Sequence, residues 1–236
     1  FTAEHHERDV AALLFDQGRL WNRERLGAAL GGHEGLDRHA RRQPTRIGEL
    51  IHEARRARFG IDWLTYLQMK YADNHWTLTV DVDEFFIFPF CDTRPIGALT
   101  DWLDSSNIRS FGAMMLDMYP RGKVTDVPYE RDTNPLDIAP WFDTGNYTIS
   151  RNYGFRNLWI QGGPRARVFF ADEPKQAPAL NKIPLVKWSK SYTYVSSTHM
   201  IWPRGLNLVY DEWGGEKASG ALLHMKFLDT FGAKSQ

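Results

Sequence analysis

The chain has 236 residues, of which 42% are hydrophobic and 25% are charged, a composition typical of a globular domain with a well-covered core. Lysine plus arginine equals aspartate plus glutamate, and this zero formal net charge argues against a nucleic-acid-binding module. A single cysteine excludes a disulfide framework within the chain and favours a reducing compartment, the cytoplasm, and no apolar run is long enough for a transmembrane helix.

The first quarter of the chain is polar and arginine-rich, and its apolar residues recur at helical spacing. Val10, Leu13 and Leu14 would share one side of a first helix. We therefore predict a helical N-terminal segment over residues 1–59 and a second unit, the main domain, over residues 60–236.

The basic residues of this segment gather near its end, at Arg55, Arg56 and Arg58. Such a cluster is a candidate for peripheral contact with a membrane surface or with phosphate, although a solvated helix face is the simpler interpretation. The chain begins at Phe1 without a signal-peptide pattern, so we expect it to be trimmed or partial.

The main domain alternates between strand and helix patterns. Residues 76–82 are β-branched and aromatic, residues 94–106 return to helical spacing, and residues 110–120 read as a second buried strand. Strand, helix and strand with near-continuous apolar strands predict an α/β domain with a mostly parallel sheet flanked by helices. Proline-rich residues 121–145 are predicted to form a long irregular segment. Two later stretches are also plausible strands: 192–202 and 220–228.

Three carboxylates, Asp81, Asp83 and Glu84, lie at the end of the first of these strands. Asp81 and Asp83 are two positions apart, so on an extended chain they point to the same side. Ligands bind at the carboxyl ends of parallel strands, and two close carboxylates need a positive partner. We therefore predict that this pair holds a hard divalent cation, Mg²⁺ or Mn²⁺. The alternative is a pair of surface acids in a turn.

The last predicted strand, residues 220–228, contains a further candidate metal ligand. His224 interrupts an alternating apolar pattern, where an unpaired imidazole needs a reason, although a lone histidine there is more often a hydrogen-bonded core residue. Lys226 lies on the same face, two residues on, where it would meet a phosphate.

Five segments of the chain, in order, resemble family 2-like glycosyltransferases with the GT-A fold, in particular a DxD-containing bacterial group. The first is "WTLTVDVDEFFIFP", and the others are residues 116–120, 162–167, 180–188 and 222–227. The resemblance covers roughly residues 60–230 and implies a GT-A-like fold. It also implies a metal-dependent enzyme of polysaccharide or glycan assembly, which moves a sugar from a nucleotide-sugar donor to a carbohydrate or other hydroxyl acceptor.

The resemblance assigns roles to individual residues. Asp81 and Asp83 would bind the Mn²⁺ or Mg²⁺ that bridges the donor diphosphate, and His224 would complete the metal shell. Cationic side chains would help the metal to stabilise the leaving diphosphate. The candidate donor-binding residues are Arg165, Arg167, Lys182, Lys226, Gly162 and Gly163. Salt bridges are the alternative role for the cations, and a tight turn is the alternative role for the glycines.

An inverting transferase also needs a general base for the acceptor hydroxyl. Asp117, at the end of the second strand, is the first candidate, and Asp143 and Glu84 are the alternatives. Asp117 could equally cap a turn or pair with an arginine. Four tryptophans are candidates for stacking on the acceptor, although core packing is the simpler role for most of them: Trp141, Trp159, Trp188 and Trp202.

The chain departs from the family pattern at its start. Residues 1–59 show neither the opening strand nor the acidic segments that hold the nucleotide base. Two other functions therefore stay open: a nucleotidyl- or phosphoryl-handling enzyme that uses the same acid pair, and a degenerate, non-catalytic carbohydrate-binding domain. The sequence has no P-loop glycine pattern that would support the first function. A domain that only binds carbohydrate would not need Asp81 and Asp83.

Overall fold

The computed structural model describes residues 60–126, 133–208 and 217–228, together with the backbone of residues 11–16 and 19–20. Most of the predicted helical segment, including the arginine cluster that was considered for membrane contact, lies outside these residues. Within them, no helix combines the length and the apolar character needed to cross a bilayer.

The described residues form eleven strands and four α-helices. The strands are β1 (Ala11–Asp16), β2 (Arg19–Leu20), β3 (Trp76–Asp81), β4 (Glu84–Ile87), β5 (Ser110–Asp117), β6 (Tyr147–Asn152), β7 (Asn157–Gly162), β8 (Asn181–Lys187), β9 (Thr193–Ser196), β10 (Met200–Trp202) and β11 (Gly220–His224). The helices are α1 (Ile61–Tyr71), α2 (Ile96–Ser105), α3 (Pro135–Ile138) and α4 (Gly163–Phe169). Three short 3-10 turns lie at Val124–Asp126, Pro174–Gln176 and Arg204–Asn207.

Seven strands form the central sheet, in the order β2–β1–β3–β8–β5–β11–β4. Of the six pairings, only β1–β3 and β5–β11 are parallel, and the other four are antiparallel. The prediction of a GT-A-like, mostly parallel sheet flanked by helices is therefore wrong. The molecule is a mixed α/β protein with few helices, and antiparallel pairing dominates its sheet. Two separate hairpins, β6–β7 and β9–β10, accompany this sheet.

The error arises from β8, a strand that the sequence pattern did not reveal. It lies between β3 and β5 and runs antiparallel to both. Its Pro184 is unusual in a central strand because proline has no N–H for the ladder. The register of β5 shifts between Phe111 and Ala113, opposite this proline, so the missing donor falls at an irregularity of the sheet.

The N-terminal segment contributes a strand to the same sheet. In β1, Ala11 lies opposite Thr77 and Phe15 lies opposite Asp81, in parallel register with β3. The helical prediction for this stretch is therefore wrong, because a continuous apolar run suits a buried strand as well as a helix. The expectation that residues 1–59 lack an opening strand is also wrong, because β1 lies within them.

The sheet must curl strongly. Strands β3 and β4 are joined by Val82 and Asp83 alone, yet β8, β5 and β11 stand between them in the sheet order. In a flat sheet four strand spacings would separate them by ~19 Å, whereas the link from Asp81 to Glu84 can span at most ~11 Å. The curl brings the two strands together, and the link between them carries Asp83.

The two longer helices pack against the sheet. Helix α2 buries Leu99 and Leu103 against Trp76 and Phe111, and α1 buries Leu64 in a second cluster around Trp188. Burial of each such side chain contributes roughly 1.5–3 kcal/mol. These clusters fix the strands whose ends carry the site described next.

Candidate functional site

Strand direction collects the polar residues at one edge of the sheet. Strands β3, β5 and β11 run one way, while β4 and β8 run the other way. Asp81, Asp117 and His224 end the first three strands, and Glu84 begins β4. The mixed sheet therefore places these four residues at the same edge.

Three of the site residues form a chain that leads from the interior to the surface. The Nδ1–H of His224 donates to Oδ1 of Asp117 at 2.6 Å, and Nε2 lies 3.5 Å from Oδ2 of Asp83. The side chain of Asp117 is fully buried and that of His224 is 7% exposed, whereas that of Asp83 is 32% exposed. Met115 and Leu222, two residues earlier in each strand, pack together beneath this chain.

Helix α4 adds a guanidinium to the buried end. The Nε–H of Arg165 donates to Oδ2 of Asp117 at 2.8 Å, and its side chain is 13% exposed. Asp117 therefore has a donor on each oxygen. Pairing with an arginine was the predicted alternative role of Asp117, and it leaves this residue poorly placed to act as a general base.

The charges along this chain support one another. Burial raises the pKa of Asp83, but the hydrogen bond and charge of His224 outweigh it and bring that pKa to about 2. Burial likewise raises the pKa of Asp117, and His224 with Arg165 lowers it below its ordinary value. Burial lowers the pKa of His224, but its two carboxylate neighbours raise it overall. His224 thus favours its charged form when both carboxylates face it.

A second cluster surrounds a buried lysine. Nζ of Lys182 lies 2.5 Å from Oε1 of Glu84 and 2.9 Å from Oδ2 of Asp81. Oε2 of Glu84 also accepts the backbone N–H of Asp81 at 3.0 Å. The lysine side chain is 5% exposed and the glutamate side chain is fully buried, whereas the aspartate side chain is 54% exposed. Lys182 is therefore an internal counter-ion for the two carboxylates.

Burial sets the protonation of this cluster. Burial lowers the pKa of Lys182, but the charges of Glu84 and Asp81 outweigh it, so the pKa is raised and the ammonium stays charged. Burial raises the pKa of Glu84, and the lysine charge only partly counters it. Glu84 is thus a structural partner of Lys182, with no exposed face for an acceptor hydroxyl.

The predicted cation site is divided between these clusters. Asp83 lies in the turn between β3 and β4 and faces His224, while Asp81 ends β3 and contacts Lys182. Among the residues that the structure describes, no three His, Cys, Asp or Glu side chains are grouped to hold a metal ion. As the side chains are arranged, a cation here would therefore be bound by two protein ligands, Asp83 and Nε2 of His224.

These two residues fit such a cation. Two ligands that share one small divalent ion lie ~3.0–3.5 Å apart, which matches the separation of Asp83 and His224. A carboxylate behind the other ring nitrogen, here Asp117, is the usual support of a metal-bound histidine. Mg²⁺ commonly takes one or two carboxylates and fills its remaining positions with water and phosphate oxygens.

Two further candidates, Asp143 and Arg167, are paired with each other. Nε and an Nη of Arg167 donate to the two oxygens of Asp143 at 3.3 and 3.1 Å. The hydroxyl of Tyr119 donates to the same carboxylate at 2.8 Å, and that of Tyr147 donates to the backbone carbonyl of Asp143 at 2.7 Å. The side chain of Arg167 is 51% exposed. Its contact with Asp143 places it on the surface beside the buried site.

The glycines and the last lysine have different surroundings. Gly162 has φ 143°, and a Cβ there would overlap the backbone oxygen of Asn146, so the glycine permits close packing of β6 on β7. Gly163 is the first residue of α4, has φ 67° and lies next to the ring of Tyr147. Both glycines thus serve the turn that was their alternative role. Lys226 acts on Asp83 through its charge, which helps to lower the pKa of that carboxyl.

Sequence reasoning missed His199, which lies before β10. Its Nδ1–H donates to the carbonyl of Asn181 at 2.7 Å, and its ring lies 6.5 Å from that of Trp159. Burial, followed by the charge of Lys182, lowers its pKa to about 4, so the imidazole is neutral near pH 7. No motif surrounds this histidine, and only its contact with β8 reveals it.

The structure separates the four tryptophans. Trp188 is fully buried and belongs to the core, while Trp159 is half-buried beside His199. Trp141 and Trp202 are exposed at 52% and 47%, and the guanidinium of Arg204 lies over the ring of Trp202. Of the exposed pair, Trp141 alone is held beside the site, through its backbone bridge to Tyr119.

Comparisons of the chain with known protein families, with curated proteins and with solved structures found no match.

Proposed function

We propose that this protein is a metal-dependent glycosyltransferase that moves a sugar from a nucleotide-sugar donor to a hydroxyl acceptor in polysaccharide or glycan assembly. The observation that carries the proposal is the chain from Asp117 through His224 to Asp83. It presents an oriented imidazole nitrogen and a carboxylate at a partly open edge of the sheet. The single cysteine is in keeping with action in the cytoplasm.

Asp83 and His224 would hold Mg²⁺ or Mn²⁺, which supplies charge stabilisation for the diphosphate that leaves the donor. The free protein favours the imidazolium form of His224. When the Nε2 proton is lost on cation binding, Asp117 would keep the remaining proton on Nδ1 and leave the Nε2 lone pair facing Asp83. Arg165 holds Asp117 in place. The contacts of Lys182 with Asp81 and Glu84 fix the loop that carries Asp83.

Asp143 is the general base in this proposal. Of the three carboxylates considered, it alone is partly exposed, at 14%, and has spare capacity, since the side chains of Asp117 and Glu84 are fully buried and paired. Three donors contact its oxygens, and a carboxylate has about four lone-pair positions. In the reaction the acceptor oxygen bonds to the anomeric carbon, the bond from that carbon to the phosphate oxygen breaks with its electron pair, and Asp143 takes the hydroxyl proton.

The test measures thermal stability and product formation. The protein is mixed with UDP-, GDP- and dTDP-sugars, each with Mn²⁺ or with EDTA, and released nucleoside diphosphate is followed by mass spectrometry. A bound donor at about one hundred times its Kd should add roughly 2.7 kcal/mol to the free energy of unfolding. We expect a shift with one nucleotide-sugar that EDTA abolishes, together with release of its diphosphate.

Matched variants tie the effect to the site. Asp83→Asn should remove both the metal-dependent shift and turnover, whereas Asp92→Asn, at an exposed acid outside the site, should change neither. His224→Ala should weaken metal affinity more than it lowers Tm, while His75→Ala serves as the exposed control. A shift with nucleoside triphosphates alone would favour nucleotidyl chemistry. A flat panel with folded protein would contradict the transferase proposal and favour the binding domain.

A further inference from the structure

We infer that the surface formed by Tyr119, Trp141, Asp143 and Arg167, here called the aromatic platform, is a binding site for a carbohydrate chain and supplies the acceptor. The inference rests on the proposed function for the word acceptor, while carbohydrate binding itself can be tested separately.

The platform is a built surface. The backbones of Tyr119 and Trp141 exchange two hydrogen bonds, at 2.8 and 3.2 Å, which hold the tryptophan beside the tyrosine. Asp143, two residues on, accepts from Tyr119 and from Arg167, so three chain segments meet there. Trp141 is nevertheless 52% exposed. The hydrogen bonds hold this large apolar side chain at the surface, where hydrophobic burial alone would not leave it.

The chemistry of the platform suits a neutral polyhydroxylated ligand. An exposed tryptophan offers a flat apolar face of the kind that the C–H face of a sugar ring can cover. Arg167 and Asp143 neutralise each other, which removes the charge that a phosphate or an acidic partner would need. Arg167 has five N–H donors, of which two contact the carboxylate, so its half-exposed head retains donors for hydroxyls.

The platform adjoins the site of the proposed reaction. Tyr119 follows Asp117 by two residues, a distance of roughly 7 Å along an extended chain. Helix α4 likewise carries both Arg165, which contacts Asp117, and Arg167, which contacts Asp143. Burial, followed by the charges of Asp143 and Asp117, raises the pKa of Tyr147 to about 12, which fits the closeness of the two carboxylates. A glycan on Trp141 would therefore present a hydroxyl beside Asp143.

The experiment applies the fluorescently labelled full chain to a printed array of defined oligosaccharides, in EDTA and without nucleotide. We expect retention of one glycan class by the wild type and at least ~tenfold weaker binding by Trp141→Ala, as loss of a stacked ring predicts. Trp202→Ala is the matched control, because it removes an exposed tryptophan outside the platform, and it should bind as the wild type does. Both variants should keep the wild-type Tm, since each ring is about half exposed.

Arg167→Met separates stacking from hydrogen bonding, and we expect it to weaken retention of the same glycans. Failure of the wild type to retain any glycan would overturn the inference, as would equal binding by Trp141→Ala and Trp202→Ala. Because the array contains no donor and no metal, glycan binding without nucleotide-sugar turnover would refute the proposed transferase while leaving the platform as a carbohydrate site. Turnover with a non-carbohydrate acceptor, unaffected by Trp141→Ala, would refute the platform alone.

Discussion

The Nδ1 atom of His224 lies 2.6 Å from Oδ1 of Asp117, although 107 positions separate the two residues in the chain. They are register partners on the parallel strands β11 and β5, so the sheet itself sets this contact. The hydrogen bond directs Nε2 toward Asp83, at the open edge of the sheet. The following predictions test the parts of this arrangement.

Asp117→Asn should destabilise the protein by roughly 3–5 kcal/mol, because it leaves the mostly buried Arg165 without its counter-ion. It should also lower the pKa of His224, since a neutral amide replaces a carboxylate. Chemical denaturation gives the stability and NMR titration gives the pKa. The control Asp104→Asn breaks a more exposed pair with Lys187 and should cost about 0–1 kcal/mol. Equal losses in the two variants would contradict the buried ion pair.

Lys182→Met should destabilise the protein more at pH 8 than at pH 5. Without the ammonium, burial raises the pKa of Glu84 further above its ordinary value of 4.5. Between that value and the raised one, the folded variant retains a proton that the unfolded chain has released, so its stability falls as pH rises through this window. Urea denaturation at both pH values measures the loss.

The double variant Lys182→Met/Glu84→Gln provides the control for that experiment. Because its buried amide cannot ionise, much of the extra loss at pH 8 should disappear. A pH-independent loss that the second substitution does not reduce would show that Lys182 acts through packing and not through its charge on Glu84.

His199 should make the wild-type protein less stable in acid. Its pKa falls from 6.5 to about 4 on folding, so the unfolded chain binds a proton that the folded chain does not between these values. Stability from this residue is present above pH 6.5 and declines as the pH falls through 4, by roughly 3 kcal/mol in total. His199→Asn keeps an N–H near Nδ1 for Asn181 and should flatten the decline, whereas His75→Asn should not.

Gly162→Ala should destabilise the protein by more than ~1 kcal/mol, because its φ of 143° is unfavourable for alanine and the new Cβ would strike Asn146. Gly97→Ala is the matched control in α2, where a Cβ meets nothing within 4 Å, and it should be neutral or slightly stabilising. Thermal unfolding measures both. Similar Tm values for the two variants would refute the packing role assigned to Gly162.

Local sequence patterns predicted several elements of the fold. The strands β3, β5 and β11 and the helix α2 lie where strand-favouring residues and helical spacing indicated. The central β8 was missed because Pro184 argues against a ladder position, and a proline opposite an irregularity in β5 has no signature in local periodicity. One missed strand changed the predicted sheet from mostly parallel to mixed.

The site shows the same division between local and non-local information. The run of acids at the end of β3 indicated where polar chemistry lies, and the approach of His224 to Asp83 brings together two of the three predicted metal ligands. The partners of Asp81 and Asp117 could not be read from spacing, since Lys182 is 101 residues from the first and Arg165 is 48 residues from the second. Such contacts depend on the topology of the sheet and not on a local motif.

Strand β11 has a consequence for synthesis on the ribosome. It lies between β5 and β4 in the sheet and carries His224. The pairing of β4 and the placement of the imidazole therefore both depend on the same late residues. A nascent chain that stops before Gly220 has the acids after β3 but no strand with which β4 can pair. Binding of the proposed cation and donor should therefore begin abruptly in translation, when β11 has left the exit tunnel, and not build up as each earlier strand emerges.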